Sequence, residues 1–240
     1  MKGFLYEGKS KTIYAGDSFD TLVIKYKNTL TAFNGEKSEE KEGKGSLNAR
    51  TSHLIYNYLS SHGINTHLVK QIDEVSFICR KAEIIPVEII VRNVAAGSFS
   101  KKYGVEEGHS LKSVSLEYSL KSDELGDPMI NTSQILALGI STEKELKFLE
   151  KEALKINELL KALFLKIGIK LVDFKLEFGR VNDEIILCDE ISADSCRLWD
   201  VETGKKLDKD IFRRDLGDVL DGYRELLSRL ENTIGKEEKL

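Results

Sequence analysis

Apolar and polar residues alternate through Leu171-Val-Asp-Phe-Lys-Leu-Glu-Phe-Gly179. Val172, Phe174, Leu176 and Phe178 interleave with Asp173, Lys175 and Glu177. In a strand, that order puts the four apolar side chains on one sheet face and the three charged ones on the other. A second apolar run, Glu184-Ile-Ile-Leu-Cys-Asp-Glu190, follows a polar turn at Arg180 to Asp183, and the two runs read as a hairpin. Asp189 and Glu190 close its second arm, which brings carboxylates of both strands toward one end. Such carboxylates repel unless a cation sits among them, and magnesium held by one or two carboxylates plus substrate phosphates is the usual partner. An amphipathic hairpin with a wet polar face is the plainer reading of the alternation alone. Against it stands Asp194-Ser-Cys-Arg-Leu-Trp-Asp200, which crowds charge and the chain's one Trp directly behind the hairpin.

The same patterning predicts the other elements. Phe4–Glu7 and Lys9–Tyr14 are strands about a turn at Gly8; Thr21–Tyr26, His67–Gln71 and Val75–Lys81 complete an antiparallel sheet. Ser46 caps a helix running to about Ser61, with Leu47, Thr51, Leu54, Ile55, Tyr58 and Leu59 on one face and Gly63 as its stop. Pro86 interrupts a strand-like run and marks either an edge or a crossing between lobes; a crossing there would divide the chain into 1–85 and 86–240. Ser98 to Tyr103 is a short helix, Leu116–Lys121 a strand, and Ser122 to Asn131 an irregular loop. Thr142 and Glu145 form a capping box for the longest helix, whose apolar stripe runs to Gly168. A last amphipathic helix from about Asp210 to Leu230 buries Phe212, Leu216, Val219, Leu220, Tyr223 and Leu227, with Arg213 facing out.

Composition narrows the function. The 240 residues, 41% hydrophobic and 32% charged, suffice for one large or two small cores. A net charge of −4 weighs against nucleic acid as a partner, although a few local Lys and Arg still serve small anions. No apolar run approaches the ~18 residues of a membrane span, and the first residues lack a signal-peptide core, so a cytoplasmic protein is expected. Cys79, Cys188 and Cys196 fit free thiols, and the four His form no zinc-like spacing. The charged, Gly-rich segment from Asn28 to Gly45 reads as solvated.

Two stretches carry possible phosphate chemistry. Gly3-Phe-Leu-Tyr-Glu-Gly-Lys-Ser10 fits the phosphate-loop pattern GxxxxGK[ST], but that loop must follow a strand and open a helix, and Lys-Thr-Ile-Tyr after Ser10 is strand-like. As a hairpin instead, the stretch puts Lys9 and Lys11 on one strand face, either as surface lysines or as neutralisers of phosphate. Arg92-Asn-Val-Ala-Ala-Gly-Ser98 is either a simple strand-to-helix turn or a phosphate nest with Arg92 and Ser98 as its polar groups.

LVDFKLEFG, DEISADSCRLWD and Leu207-Asp-Lys-Asp-Ile-Phe-Arg213, with GKSK, VRNVAAGS and LKSD…DPM in the same order, resemble the SAICAR synthetase family (phosphoribosylaminoimidazole-succinocarboxamide synthase). The resemblance covers nearly the whole chain. It implies an α+β, two-lobed ATP-binding fold, related to ATP-grasp and kinase-like lobes, with antiparallel sheets and flanking helices. It implies an ATP-dependent C–N ligase joining carboxyaminoimidazole ribonucleotide (CAIR) to L-aspartate, with Mg2+ required and a homodimer as the family's habit. Lys9, Lys11, Lys81, Glu83 and Ile84 then belong to the ATP site, the last two in a hinge that gives backbone groups to adenine. Arg92, Ser98, Lys121, Arg197 and Arg213 contact CAIR. Glu177 and Asp189 hold the metal, Lys175 joins them as catalytic, and Asp173 is a ligand or a base near the amine. Asp127 matches a family position, and the loop holding Asn34 lies near substrate. A kinase-like phosphotransferase and a non-catalytic nucleotide-binding module are the rivals. The first lacks its GxGxxG and HRD motifs here, and the second has no need of the acidic cluster.

Overall fold

The computed structural model describes residues 2–237; the side chains of Lys2, Asn34 and residues 235–237 lie outside that description, and with them any role for Asn34. The chain opens on β1 (Lys2–Glu7), β2 (Lys11–Ala15) and β3 (Thr21–Tyr26), each antiparallel to the next. No helix follows Ser10, so the phosphate-loop pattern is a strand–turn–strand. A small hairpin, β4 (Thr29–Ala32) with β5 (Lys37–Glu40), precedes α1 (Lys44–Ser61). β6 (Leu68–Gln71) and β7 (Ser76–Arg80) finish a five-stranded sheet ordered β1-β2-β3-β7-β6.

The predicted start of α1 needs correction. Its N-cap is Gly43, with φ +87°, a left-handed value that glycine adopts without a Cβ penalty. Ser46 lies inside the first turn, and its hydroxyl donates back to the Gly43 carbonyl at 2.9 Å. Nor is the preceding segment simply solvated: Lys44 is 1% exposed and ion-pairs with Asp194 at 2.5 Å.

The second sheet is built around two long strands, β8 (Glu83–Val94) and, later in the chain, Ile169–Val181. Between them come α2 (Gly97–Tyr103), β9 (Ser110–Leu120), β10 (Met129–Ile130), α3 (Thr132–Ala137) and α4 (Glu143–Lys166). The long strand β11 (Ile169–Val181) then turns into β12 (Glu184–Cys188), and β13 (Cys196–Asp200) returns to pair with the first half of β11. The sheet order is β10-β9-β8-β11-β12. β8 is therefore central, and Pro86 marks neither an edge nor a strand end. Its missing N–H is absorbed by a bulge: the pairing steps from Glu177↔Glu88 to Gly179↔Ile84.

Alternation along β11 also breaks once. A register shift between Leu171 and Asp173, opposite β13, turns Val172 away from Phe174, Leu176 and Phe178 and into a small cluster with Val94, Ala96 and Trp199. Leu171 takes its place in the main core.

α4 begins at its predicted capping box, Thr142 with Glu145, and packs on β8 and β11. The predicted last helix is two, α5 (Asp210–Arg213) and α6 (Val219–Glu237). Positive φ at Asp215 (+53°) and Gly217 (+127°) breaks the path, and Leu216, expected inside, is 57% exposed. α6 packs against α1, and Leu59, Ile156, Phe164 and Leu226 join Ile89, Val91, Phe174 and Leu176 in one core beneath the second sheet. Fully burying such a side chain contributes roughly 1.5–3 kcal/mol, which fixes the polar face of β11 against the opposite side.

Candidate active site

That polar face is not wet. Asp173 and Glu177 are both 4% exposed, and Lys175 lies between them. Four residues along an extended strand separate Asp173 from Glu177 by about 13 Å, so the alternation feeds two charge clusters rather than one.

The first cluster lines a cleft of about 500 Å³ between the two sheets. Lys175 Nζ donates to Glu177 Oε1 at 2.6 Å and Glu88 Oε1 at 2.7 Å, and lies 3.5 Å from Asp189 Oδ2. Lys121 reaches the same Glu177 oxygen at 3.0 Å. From the first sheet, Lys11 pairs with Asp189 and lies 3.1 Å from Glu190, while Lys9 meets Asp123 at 2.6 Å. Burial disfavours charge on Lys11, Lys175 and Asp189 alike, yet their opposite charges prevail. Both lysines stay well above the ordinary lysine value, and Asp189 stays well below the usual carboxylate range. Glu88 goes the other way, raised by burial despite Lys175.

The backbone sets Asp189 in place. It leaves β12 at φ +62°, and the carbonyls just before it are fastened: Tyr56 Oη donates to Cys188 O at 2.6 Å and His67 N to Leu187 O at 2.8 Å. Both anchors come from the first half of the chain. Ile13, Leu22, Ile24, Ala82 and Ile84 add apolar wall to the cleft, a surface suited to a planar base.

The second cluster sits where β8, β11 and β13 meet. Arg92 Nη1 donates to Asp173 Oδ2 at 2.7 Å, its Nε to Glu117 Oε2 at 2.8 Å and its Nη2 to Ser98 Oγ at 3.1 Å. Arg197 Nη1 reaches Asp173 Oδ2 at 2.9 Å and its Nε reaches Asp210 Oδ2 at 3.0 Å; Arg213 reaches Asp210 Oδ1 at 2.6 Å. Gly97 (φ +55°) lies directly under the Arg197 guanidinium, where any Cβ would collide with Nη2. Planar guanidinium forks gathered this way suit phosphate and carboxylate.

The structure thus brings together Lys9, Lys11, Ile84, Lys175, Glu177 and Asp189 at the cleft, and Arg92, Ser98, Arg197 and Arg213 at the arginine cluster. Lys121, expected with the arginines, lies in the cleft on Glu177. Asp173, expected with the metal or the amine, is held between two arginines. Lys81 and Glu83 are exposed and do not line the cleft; Glu83 lies 3.5 Å from Arg180. Sequence reasoning missed Glu88, Lys44 and Lys209. For Glu88 a signal existed, since it follows Pro86 by two and shares the polar face of β8.

Hard carboxylate oxygens at Glu177 and Asp189 fit Mg2+ in donor chemistry. No group of three His, Cys, Asp or Glu able to hold a metal occurs among the described residues. That suits an ion that arrives with substrate phosphates better than one held in an all-protein cage.

The SAICAR synthetase family profile matches residues 4–230. Phosphoribosylaminoimidazole-succinocarboxamide synthase of Clostridium perfringens is 52% identical, covering 95% of this chain and 97% of its own. The synthase of Methanosarcina acetivorans is also 52% identical, over 94% and 95%. The Ehrlichia chaffeensis synthase crystal structure superposes with a TM-score of 0.93 at 42% identity, covering 95% of this chain and 98% of that one. A type-2 SAICAR synthetase in complex with ADP gives 0.92 at 45% identity, over 95% and 97%. Agreement of that extent, in residues and in backbone, makes this chain a member of the SAICAR synthetase family.

Proposed function

We propose that this chain, an ATP-dependent ligase of purine biosynthesis, condenses CAIR with L-aspartate to give SAICAR, ADP and phosphate, and divides its substrates between the two clusters. The observation that carries the reading is the single strand β11, which delivers Glu177 to the cleft and Asp173 to the arginines. One rigid element thereby sets the distance between nucleotide and acceptor.

In this reading the lobes 1–85 and 86–240 enclose ATP. Its base lies on Ile13, Leu22, Ile24 and Ile84, and its phosphates lie among Lys9, Lys11, Lys121 and Lys175. Glu177 and Asp189 would hold Mg2+, which when bound neutralises charge developing on the transferring phosphoryl group. Arg92, Ser98, Arg197 and Arg213 clamp the phosphate and carboxylate of CAIR. A carboxylate oxygen of CAIR takes the γ-phosphoryl group and ADP leaves. The aspartate amine then attacks the acyl carbon, phosphate departs with its bonding pair, and the amine gives up a proton. The lysines meet the phosphates already charged, since their carboxylate partners hold them so. Three unpaired thiols, all buried, support a reducing cytoplasmic setting, and a homodimer is carried from the family resemblance.

ADP release by the purified protein tests the reading. Turnover that requires ATP, Mg2+, CAIR and L-aspartate together is expected. Aspartate-independent ADP release would replace the ligase with a phosphotransferase.

A further inference from the structure

Five lysines line the cleft, and four of them are paired: Lys9 with Asp123, Lys11 with Asp189 and Glu190, Lys121 with Glu177, and Lys175 with Glu88 and Glu177. Lys209 is the exception. It is half-buried, its backbone N–H is tied to the Ala193 carbonyl at 3.1 Å, and its ammonium makes no ion pair or hydrogen bond with any described residue. The acids around it are engaged elsewhere. Asp194 takes Lys44 at 2.5 Å and the Tyr223 hydroxyl at 2.5 Å, and Glu190 takes Lys11 and the Ser192 hydroxyl. Burial lowers the Lys209 pKa from the ordinary lysine value; the nearby charges of Asp194 and Glu190 oppose that shift without reversing it, and Lys44 and Arg213 add to it. A cation partly removed from water, with acids nearby but none in direct contact, is costly unless an anion completes it.

Its place in the fold says which anion. Lys209 lines the nucleotide cleft, yet the next residue is Asp210, which ties Arg197 and Arg213 together. It therefore stands at the seam between the phosphate lysines and the arginine cluster. In the ligase reading the acyl carbon forms between the γ-phosphate at the lysines and the ribonucleotide at the arginines, so the amine approaches it at that seam. ATP and the ribonucleotide already have cations at their own clusters. The third substrate is an amino dicarboxylate, and Lys209 is the cleft lysine that no described carboxylate pairs, so it is free to meet one of that substrate's carboxylates.

We infer that Lys209 receives a carboxylate of the incoming L-aspartate and holds its amine toward the acyl carbon. The inference rests on the ligase reading above and deepens it. A single charge-assisted pair of this kind is worth about 10- to 100-fold in affinity.

The test is steady-state kinetics of Lys209→Gln and Lys209→Arg beside the wild type, each substrate varied in turn, with succinate as a competitor of aspartate. Lys209→Gln should raise the KM for L-aspartate, and the Ki for succinate, by about 10- to 100-fold, while the KM values for ATP and CAIR change less than twofold. Lys209→Arg should recover most of the aspartate affinity, because it restores charge where a merely structural lysine would not need it. An aspartate KM and succinate Ki unchanged in Lys209→Gln would overturn the inference, and so would a rise confined to ATP or CAIR. If Lys209→Gln does not fold, Lys209→Met takes its place and is read in the same way. Failure of the ligase reading itself is separate, since it shows in the wild type as turnover that ignores aspartate.

Discussion

Asp173 and Arg92 face each other at paired positions of β11 and β8, with the guanidinium Nη1 2.7 Å from the carboxylate, and both residues are less than 5% exposed. Asp173 also accepts from Arg197, which sits opposite it on β13. One carboxylate thus aligns two guanidinium groups from two neighbouring strands. Removing its charge strands both, and breaking a buried pair typically costs about 3 kcal/mol. Asp173→Asn should therefore lower unfolding free energy by about that amount and raise the KM for CAIR at least tenfold, with the KM for ATP unchanged. Urea unfolding and initial rates check the two halves separately. A variant of wild-type stability would show that Glu117 and Asp210 hold the arginines unaided.

Gly97 offers a second route to the same guanidinium. A methyl group there meets Arg197 side-chain atoms well inside contact distance, and φ +55° adds strain for any L side chain. Gly97→Ala should thus imitate Arg197→Ala. Both should weaken CAIR by roughly 10-fold or more with little change for ATP, as expected for loss of a charge-assisted hydrogen bond. If Gly97→Ala keeps normal CAIR affinity, Arg197 does not contact that substrate from its present position.

Glu177→Gln and Asp189→Asn probe the cleft. Each keeps the shape of its side chain and removes the negative charge that Lys175 and Lys11 neutralise. Turnover should fall by about 100-fold or more in each, because in the proposed ligase reading these two carboxylates hold the Mg2+ and lysines that align the phosphates. Near-normal turnover in both at saturating Mg2+ would remove them from the metal role. Circular dichroism of each variant should match the wild type, which separates chemistry from folding.

The sequence made some of this legible and hid the rest for physical reasons. α4 is readable because its signals are local: the Thr142–Glu145 box starts it and Gly168 ends it. β11 is readable by period two, and β12 as a short apolar run behind a polar turn. The break between α5 and α6 was hidden because Phe212, Leu216, Val219 and Leu220 keep helical spacing straight across it. Only Gly217 hinted at the turn that exposes Leu216. The place of Asp173 among the arginines is not legible, because alternation gives the shared face of Asp173 and Glu177 but not which neighbouring strand each meets. Lys44 was out of reach altogether. Its partner, Asp194, lies 150 positions away in the chain, and nothing in a Gly-Lys-Gly stretch distinguishes a buried lysine from a wet one.

Glu145 gives a prediction about pH in which the sign is fixed by the structure. Its carboxylate accepts from Arg180 Nε at 2.6 Å and from the Thr142 N–H at 2.8 Å, so one side chain closes the cap of α4 and ties that helix to the end of β11. The Arg180 hydrogen bond, which outweighs the opposing effect of burial, lowers its pKa from 4.5 to about 2. A carboxyl group depressed in the folded state binds its proton more readily when unfolded. Its contribution is therefore complete above pH 4.5 and is lost as pH falls from 4.5 toward 2. The pair is partly solvated, which discounts the contribution to about 1 kcal/mol. Glu145→Gln keeps a cap acceptor but drops the charge. It should be less stable than the wild type by about 1 kcal/mol at pH 7, and the gap should close as pH approaches 2. Chemical unfolding at a series of pH values measures that gap directly. A difference that stays constant with pH would assign the loss to the hydrogen bonds of the cap instead of to the Arg180 ion pair.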